Sequence, residues 1–513
     1  MTIAAATMFA GAGCSSRGLG GGAGGASATG GAPSAGSGGA VSGVGGAASG
    51  AGGGGGAASG TGGAPAGTGG TTSSTGGTTS STGGTTSGSG GAGPQLPDAS
   101  SDSDGSGDRT GCTTSISGTV YDPAGTRPIY NAFVYAPTKA LDPIAAGVSC
   151  DRCATTLSGA PAAMTSTDAT GHFKLQGLPA GTNVPVVIQI GKWRREILIP
   201  SVAECVDTAI VDANLTRLPR NQSEGHLPKI AVTTGGSDAL ECFVHKLGID
   251  DSEFTTDSGN GRVNLLVGGE PAVGGGGQGA ASFAPTFGVG TLPPFPPATS
   301  LWGFPAKLAA YDMMLLSCEG SQYPDVKLPY TTNVKAYADA GGRIIADHLQ
   351  FYWLKNGPAP WPTTATYLGA GLDLPDPTAA SVNTAFARGA ALADWLTSVG
   401  ATSTRASLQL YGTQSSVAGV TPPTLAWINA TDPTLTPTST KLLTFDTPVE
   451  SLSNQCGRVA YVDFHVKSTI ATQNGKDNSN PSLPFPTGCK STILTQQEQA
   501  LEFMLFDAGA CIP

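Results

Sequence analysis

Two stretches of the chain end an apolar run on an aspartate and a histidine. In Ala340-Gly341-Gly342-Arg343-Ile344-Ile345-Ala346-Asp347-His348, a helix end and a glycine stop lead into a short buried strand that exits at Asp347 and His348. In Gly457-Arg458-Val459-Ala460-Tyr461-Val462-Asp463-Phe464-His465, a second strand exits at Asp463 and His465. Open α/β sheets place ligands outside the carboxyl ends of their strands, so the expected site lies between these two ends. Three chemistries are open to such residues. As ligands, His348 and His465, helped by Asp347 and Asp463, would offer nitrogen and oxygen to zinc or a similar divalent metal. As an acid–base group, His348, His465, Asp347 and Asp463 would support hydrolysis. As structural residues, the histidines would hydrogen-bond loop backbone. Other nucleophiles are poorly placed. Ser321 lacks a G-x-S-x-G elbow. Cys318, at a strand exit, and Cys242, on a helix, have no base beside them in the sequence, and a disulfide between the two is expected.

The elements that must position these residues alternate strand and helix over 226–513. A β-branched strand spans 229–234, followed by a Gly235-Gly236-Ser237 turn with Ser237 or Asp238 as helix cap. A helix over 239–247 places Leu240, Phe243 and Leu247 on one face. Strands follow at 264–267 and 311–317, a helix at 333–340, and a last helix capped by Thr495 with Glu498 at capping-box spacing. The span 268–299 is rich in glycine and proline and is expected to be irregular. Apolar strands alternating with helices imply a doubly wound, mostly parallel sheet. Residues 112–220 read differently. Short strands at 115–121, 132–136, 172–175 and 184–190, separated by turns such as Asp122-Pro123-Ala124-Gly125, imply a small all-β sandwich.

The residues Gly118, Val120, Asp122, Gly125, Pro128, Ala132 and Val134, then Thr167, Asp168, Gly171, Phe173, Leu175, Leu178, Pro179 and Gly181, resemble the carboxypeptidase regulatory-like domain. That family implies a transthyretin-like sandwich acting as a non-catalytic companion. An insertion over 138–164, carrying Cys150-Asp151-Arg152-Cys153, departs from it. Downstream, 312–317, 341–348, and 457–461 with His465 resemble the trehalose-utilisation (ThuA-like) branch of the class I glutamine amidotransferase-like superfamily. This implies a flavodoxin-like fold. Residues 353–446 follow no pattern of that family. Where the amidotransferases carry a nucleophilic cysteine at the strand-to-helix elbow, this chain has His348, so the resemblance implies no glutaminase activity.

The first 111 residues hold most of the 77 glycines of the 513-residue chain. Residues 1–14 resemble a bacterial lipoprotein signal, with Cys14 as the lipidated cysteine after Ala12-Gly13; Gly11 replaces the usual leucine, and no Lys or Arg precedes the apolar run. Residues 15–111 are rich in Gly, Ser and Thr and are expected to form a disordered tether. A net charge of -10 disfavours nucleic acid as a partner. No apolar run is long enough for a transmembrane helix. The ten cysteines suit disulfides in an oxidising compartment. The candidates are Cys112, Cys150, Cys153, Cys205, Cys242, Cys318, Cys456, Cys489 and Cys511. Their split around residue 206 suggests that each domain keeps its own bridges: Cys150 and Cys153 with Cys112 and Cys205, and Cys511 with Cys456 or Cys489.

These observations together imply a multidomain cell-envelope or secreted surface protein, held to the outer membrane by a lipid anchor. Its expected role is a binding or structural module for a carbohydrate or protein ligand. The alternative is a hydrolase acting on carbohydrate or peptide material through His348 and His465. A divalent metal is the one cofactor the sequence points to.

Overall fold

The computed structural model describes residues 112–153, 156–269, 277–288, 292–369, 373–432, 438–466 and 479–513; the signal over 1–14 with Cys14 and the tether over 15–111 lie outside them. The described chain is multidomain and mostly β, with helices packed on its sheets. Among the described residues, no helix is long and apolar enough to cross a membrane.

Residues 115–210 form two small sheets. Ser115–Thr119 lies between His172–Gln176, which is antiparallel to it, and Asp207–Ile210, which is parallel. The other sheet runs Pro161–Ser166, Phe133–Pro137, Gly181–Ile190 and Trp193–Val202, all antiparallel. Strict alternation explains the burial: His172–Gln176 buries Phe173 and Leu175 and exposes the three polar residues between and beside them. The turn before it closes as its residues predict, with Gly171 N–H donating to Asp168 O at 2.9 Å.

A ten-stranded sheet spans the rest of the chain. Six neighbouring strands are parallel, in the spatial order Phe254–Thr255, Val263–Val267, Ile230–Thr234, Met313–Leu316, Arg343–Asp347 and Gly457–Val462. Setting aside the two-residue edge strand, the chain visits these positions in the order second, first, third, fourth, fifth. Four antiparallel strands extend the sheet beyond Gly457–Val462: Thr440–Thr447, Leu425–Ala430, Thr378–Val382 and Ser407–Leu410. Nearly all of them fall within 353–446, for which no family pattern was expected.

Alternation along the strands divides the core. Val232, Leu265, Leu315, Ile345, Ala460 and Val462 face the helices Leu240–Lys246, Ala387–Ser398 and Gln496–Gly509. Ala231, Leu266, Met314, Leu316, Ile344, Ala346, Val459 and Tyr461 face Thr299–Trp302 and Thr331–Asp339. Gln496–Gly509 starts at the predicted Thr495 cap, and the capping box with Glu498 is complete. The helix also packs against the sandwich: Phe503 stacks on Tyr130 at 5.5 Å, and Phe506 meets Trp193 at 5.7 Å.

Among the described residues four disulfides form, Cys112–Cys205, Cys150–Cys456, Cys153–Cys511 and Cys242–Cys489. Two expectations are thereby corrected. Cys112–Cys205 and Cys242–Cys489 keep to the split at residue 206, but Cys150–Cys456 and Cys153–Cys511 cross it, because the insertion expected over 138–164 reaches past the small sheets. There Val148 N–H donates to Ala309 O at 2.8 Å, and Cys153 N–H donates to Ile512 O at 2.9 Å. Cys242 and Cys318 do not pair, because the sheet separates them. The helix carrying Cys242 packs on the Leu315 face, and Cys318 belongs with Leu316 on the other. Non-reducing peptide mapping of the full chain is expected to recover these four pairs and to find Cys318 outside them. A Cys242–Cys318 peptide would contradict the packing.

The link between the two bodies is closed by an ion pair. Arg217 grips Glu224 through both oxygens, at 2.6 and 2.8 Å, and Arg220 N–H adds a bond at 2.8 Å. Those hydrogen bonds, chiefly the Arg217 pair, outweigh burial and hold the Glu224 carboxyl down at about 2, from an ordinary 4.5. A carboxyl depressed on folding stabilises the fold above its unfolded pKa, and that stability is lost as pH falls through the folded value. Glu224→Gln is therefore expected to cost about 1–3 kcal/mol at neutral pH. The gap should close as the pH is lowered from 4.5 toward 2. Urea melts at several pH values measure it, and a gap independent of pH would refute the assignment.

Candidate functional site

Strand register assembles the site. Leu316 lies beside Ala346, and Ala346 beside Tyr461, so these three parallel strands end level with one another. Two residues beyond Leu316 and Ala346 stand Cys318 and His348. The third strand runs on further: Asp463 N–H bonds Lys441 O at 2.8 Å, His465 N–H bonds Gly412 O at 3.1 Å, and the His465 ring turns back toward the strand ends. The rings of His348 and His465 lie 4.4 Å apart, centre to centre. Cys318 Sγ lies 3.4 Å from His348 Nδ1. One donor atom from each of Cys318, His348 and His465 lies within 4.8 Å of the other two.

His348 stands at a sharp elbow between Arg343–Asp347 and a short helical segment, with φ +48°. That conformation costs a non-glycine residue on the order of 1–3 kcal/mol and persists only where surrounding structure imposes it. Gln350 does part of this, donating to Ser317 O at 2.6 Å and accepting from the Trp353 indole at 2.9 Å. The elbow is thus tied to the residue preceding Cys318. The carbonyl of Cys318 in turn accepts from the Ser237 and Asp238 amides at 3.0 and 3.1 Å. Such close approach requires Gly235, where a Cβ would fall 2.2 Å from Cys318 O. Gly412, at φ +59°, makes room in the same way for the His465 ring.

The charges follow from this placement. Asp238 is fully buried and lies 2.7 Å from His465 Nδ1, while the His465 side chain keeps 21% of its surface exposed. Burial opposes charge on that ring. The Asp238 carboxylate, supported by Cys318 and Asp347, outweighs it and pushes the imidazolium up to about 10. Asp347 is also fully buried, and its carboxyl shares a hydrogen bond with the neighbouring Asp238. Burial first, then the neighbouring Asp238, push its carboxyl far above the ordinary range, and His465 acts in the opposite sense. Just past Cys318, Glu319 pairs with Lys327 at 2.6 Å, both fully buried.

The structure therefore brings together His348, His465 and Asp347, and leaves out Asp463. Asp347 pairs in register with Val462, so Asp463, one residue on, points to the opposite face. There it accepts from Ser416 N–H at 3.0 Å, from Lys441 at 3.1 Å and from the Tyr461 hydroxyl at 2.9 Å. Two site residues were misread from sequence. Cys318 was assigned to a disulfide, although it follows an apolar run as His348 does. Asp238 was read as a helix cap, but the N-cap position is Ala239, with no side-chain cap bond, and the Asp238 side chain goes to His465. Chemically, the cluster offers one sulfur and two imidazoles to a metal, with two buried carboxyls beside them.

No protein-family model matches the chain, and no curated protein matches it. Two solved structures are similar to part of it. Both are type II cohesin–X-dockerin complexes from Acetivibrio cellulolyticus, one an N-terminal and one a C-terminal interface mutant. They are 17% and 19% identical, cover 29% of this chain and 78% and 79% of their own, and have a TM-score of 0.14. A likeness at that score carries no argument.

Gly235→Ala is expected to force the Ser237–Asp238 turn off Cys318 and to cost about 1–3 kcal/mol, as overpacking does. Gly419→Ala, where an added Cβ meets nothing within 4 Å, is the comparison and should stay within about 0.5 kcal/mol. Urea denaturation of both variants decides this; equal stabilities would mean that the turn is not held as described.

Proposed function

We propose that the chain is a hydrolase of the cell envelope or the exterior, acting on carbohydrate or peptide material. The observation that carries this reading is the meeting of His348 and His465 at 4.4 Å, on one strained elbow and one returning strand, with Asp238 and Asp347 beside them. The histidine pair holds the attacking water in place, and Asp347 is the neighbouring carboxyl through which a proton can pass. The α/β part is read as a flavodoxin-like, ThuA-like domain over 226–513, supported by the second-first-third-fourth-fifth order of its parallel strands. The part over 112–220 is read as a carboxypeptidase regulatory-like companion, supported by its two small sheets. Four disulfides support an oxidising compartment, and a lipid anchor at Cys14 remains part of the proposal.

A second reading, a surface binding or structural module, draws on one observation: Cys318, Asp347 and His348 are fully buried, and His465 alone of the cluster's ring and thiol groups opens to solvent. Turnover separates the two. The full chain is assayed by mass spectrometry against peptides, acylated sugars and glycans. Hydrolysis of one class is expected, with His465→Ala slowing it by about 100-fold or more. His245→Ala should leave it unchanged, since that ring bonds Asp251 away from the strand ends. Retention of any substrate class without cleavage, or cleavage undiminished in His465→Ala, would overturn the hydrolase reading.

A further inference from the structure

We propose that Cys318, His348 and His465 form a zinc site, with three protein ligands and the fourth position left to water. For what the ion does, this rests on the hydrolase reading; the site itself stands on geometry.

Tetrahedral zinc with bonds of about 2.0–2.3 Å needs donors about 3.3–3.6 Å apart. Cys318 Sγ and His348 Nδ1 already stand at 3.4 Å, and all three donor atoms lie within 4.8 Å of one another. Closing on an ion asks only for side-chain movement of about an ångström at His465, the one exposed member. The donor set selects the metal. A thiolate with two imidazoles suits zinc, whereas calcium and magnesium take oxygen. His465 has the outer partner that zinc-bound histidines have: Asp238 holds Nδ1 at 2.7 Å, which orients the ring and leaves Nε2 for the ion. Asp347 supplies an independent sign. It is a fully buried carboxyl beside the cluster, hydrogen-bonded to the equally buried Asp238. Two buried carboxyls and a thiol crowd one place, and a divalent ion there would balance more negative charge than the single proton on His465 does.

The competing use of Cys318 is as a nucleophile activated by His348. Its burial argues against this. A nucleophile must reach its substrate, and Cys318 is 0% exposed; a ligand has no such need. Among the described cysteines, eight are in disulfides and Cys318 stands outside them, beside two imidazoles. Ligation gives that thiol a role compatible with burial.

The full chain, purified with zinc and freed of excess by dialysis, is expected to hold about one zinc per molecule by elemental mass spectrometry. Cys318→Ser and His465→Ala should lose it. Asp238→Asn, which keeps every ligand, should bind about 10–100-fold more weakly, and His245→Ala should bind as the parent does. In the cobalt-substituted protein a thiolate-to-metal band in the near ultraviolet should appear, and should vanish in Cys318→Ser. Zinc content unchanged in Cys318→Ser would overturn the proposal, as would a metal-free parent whose Cys318 is alkylated by iodoacetamide. Zinc bound at this ratio without hydrolysis of any substrate would sink the hydrolase reading and leave the site standing; hydrolysis without zinc would do the reverse.

Discussion

The carboxylates of the helix Gln496–Gly509 constrain this structure more than any other single feature. The helix lies between the sandwich and the large sheet, and Glu498, Glu502 and Asp507 are all buried there. A buried carboxylate is tolerable only when paired, and each partner comes from a different part of the chain. Lys246, on the first helix of the large sheet, Leu240–Lys246, reaches Glu498 at 2.7 Å. Arg127 of the sandwich binds Glu502 while also holding Asp122 at 2.6 Å. Arg388 and Arg458 converge on Asp507 at 2.9 and 3.3 Å. Removing one partner from such a pair costs about 3–5 kcal/mol, far more than the pair itself contributes over an apolar substitute. The pairs therefore act less as glue than as a test of register. The sandwich, the first helix, the Ala387–Ser398 helix and the Gly457–Val462 strand must all sit correctly for the helix to be buried at all.

Once Gly457–Val462 is fixed, the site follows from sheet geometry. Parallel strands in register deliver their exits to one edge, so residues far apart in sequence meet without any long-range side-chain instruction. What remains is local: an elbow that turns His348 inward, a glycine that lets the Asp238 turn touch Cys318, and a second glycine that admits the His465 ring. These are close-approach devices, and they make the cluster stiff. Backbone and Gln350 hold the elbow, Asp238 holds the His465 ring, and Cys318 meets His348 directly.

The sequence disclosed what depends on short-range pattern. Apolar runs ending in Asp-His located two of the three donors, because strand ends and their polar exits are local signals. The Thr495 capping box was legible for the same reason. Asp463 was misplaced because a strand's inward and outward faces differ by one residue, and nothing in Val462-Asp463-Phe464 says in which register it pairs. Cys318 and Asp238 were misread because each had a sufficient local explanation, a disulfide for one and a helix cap for the other. Only the third dimension shows that both are committed to histidines. The four antiparallel strands of 378–447 were missed because their partners are set by the preceding edge strand, which is a tertiary and not a local constraint.

Two of the disulfides clamp one edge of the large sheet. The insertion meets the amino-terminal edge of the large sheet through Val148, Cys150 and Cys153. Cys150 is bonded to Cys456, just before the fifth strand begins, Cys153 to Cys511, and Val148 to Ala309, ahead of the third strand. Lys192 adds a contact to Asp312 at 2.6 Å on the same edge. The cluster of Cys318, His348 and His465 lies at the other, carboxyl-terminal edge. Cross-links that restrict the unfolded chain stabilise wherever they are placed. The pairs Cys150–Cys456 and Cys153–Cys511 hold the strands in register from the amino edge, which is what the site at the other end requires, and they lie a strand's length from Cys318. Cys242–Cys489 belongs to the helix that follows the Asp238 turn, and there the sheet itself stands between the bridge and the Cys318 thiol.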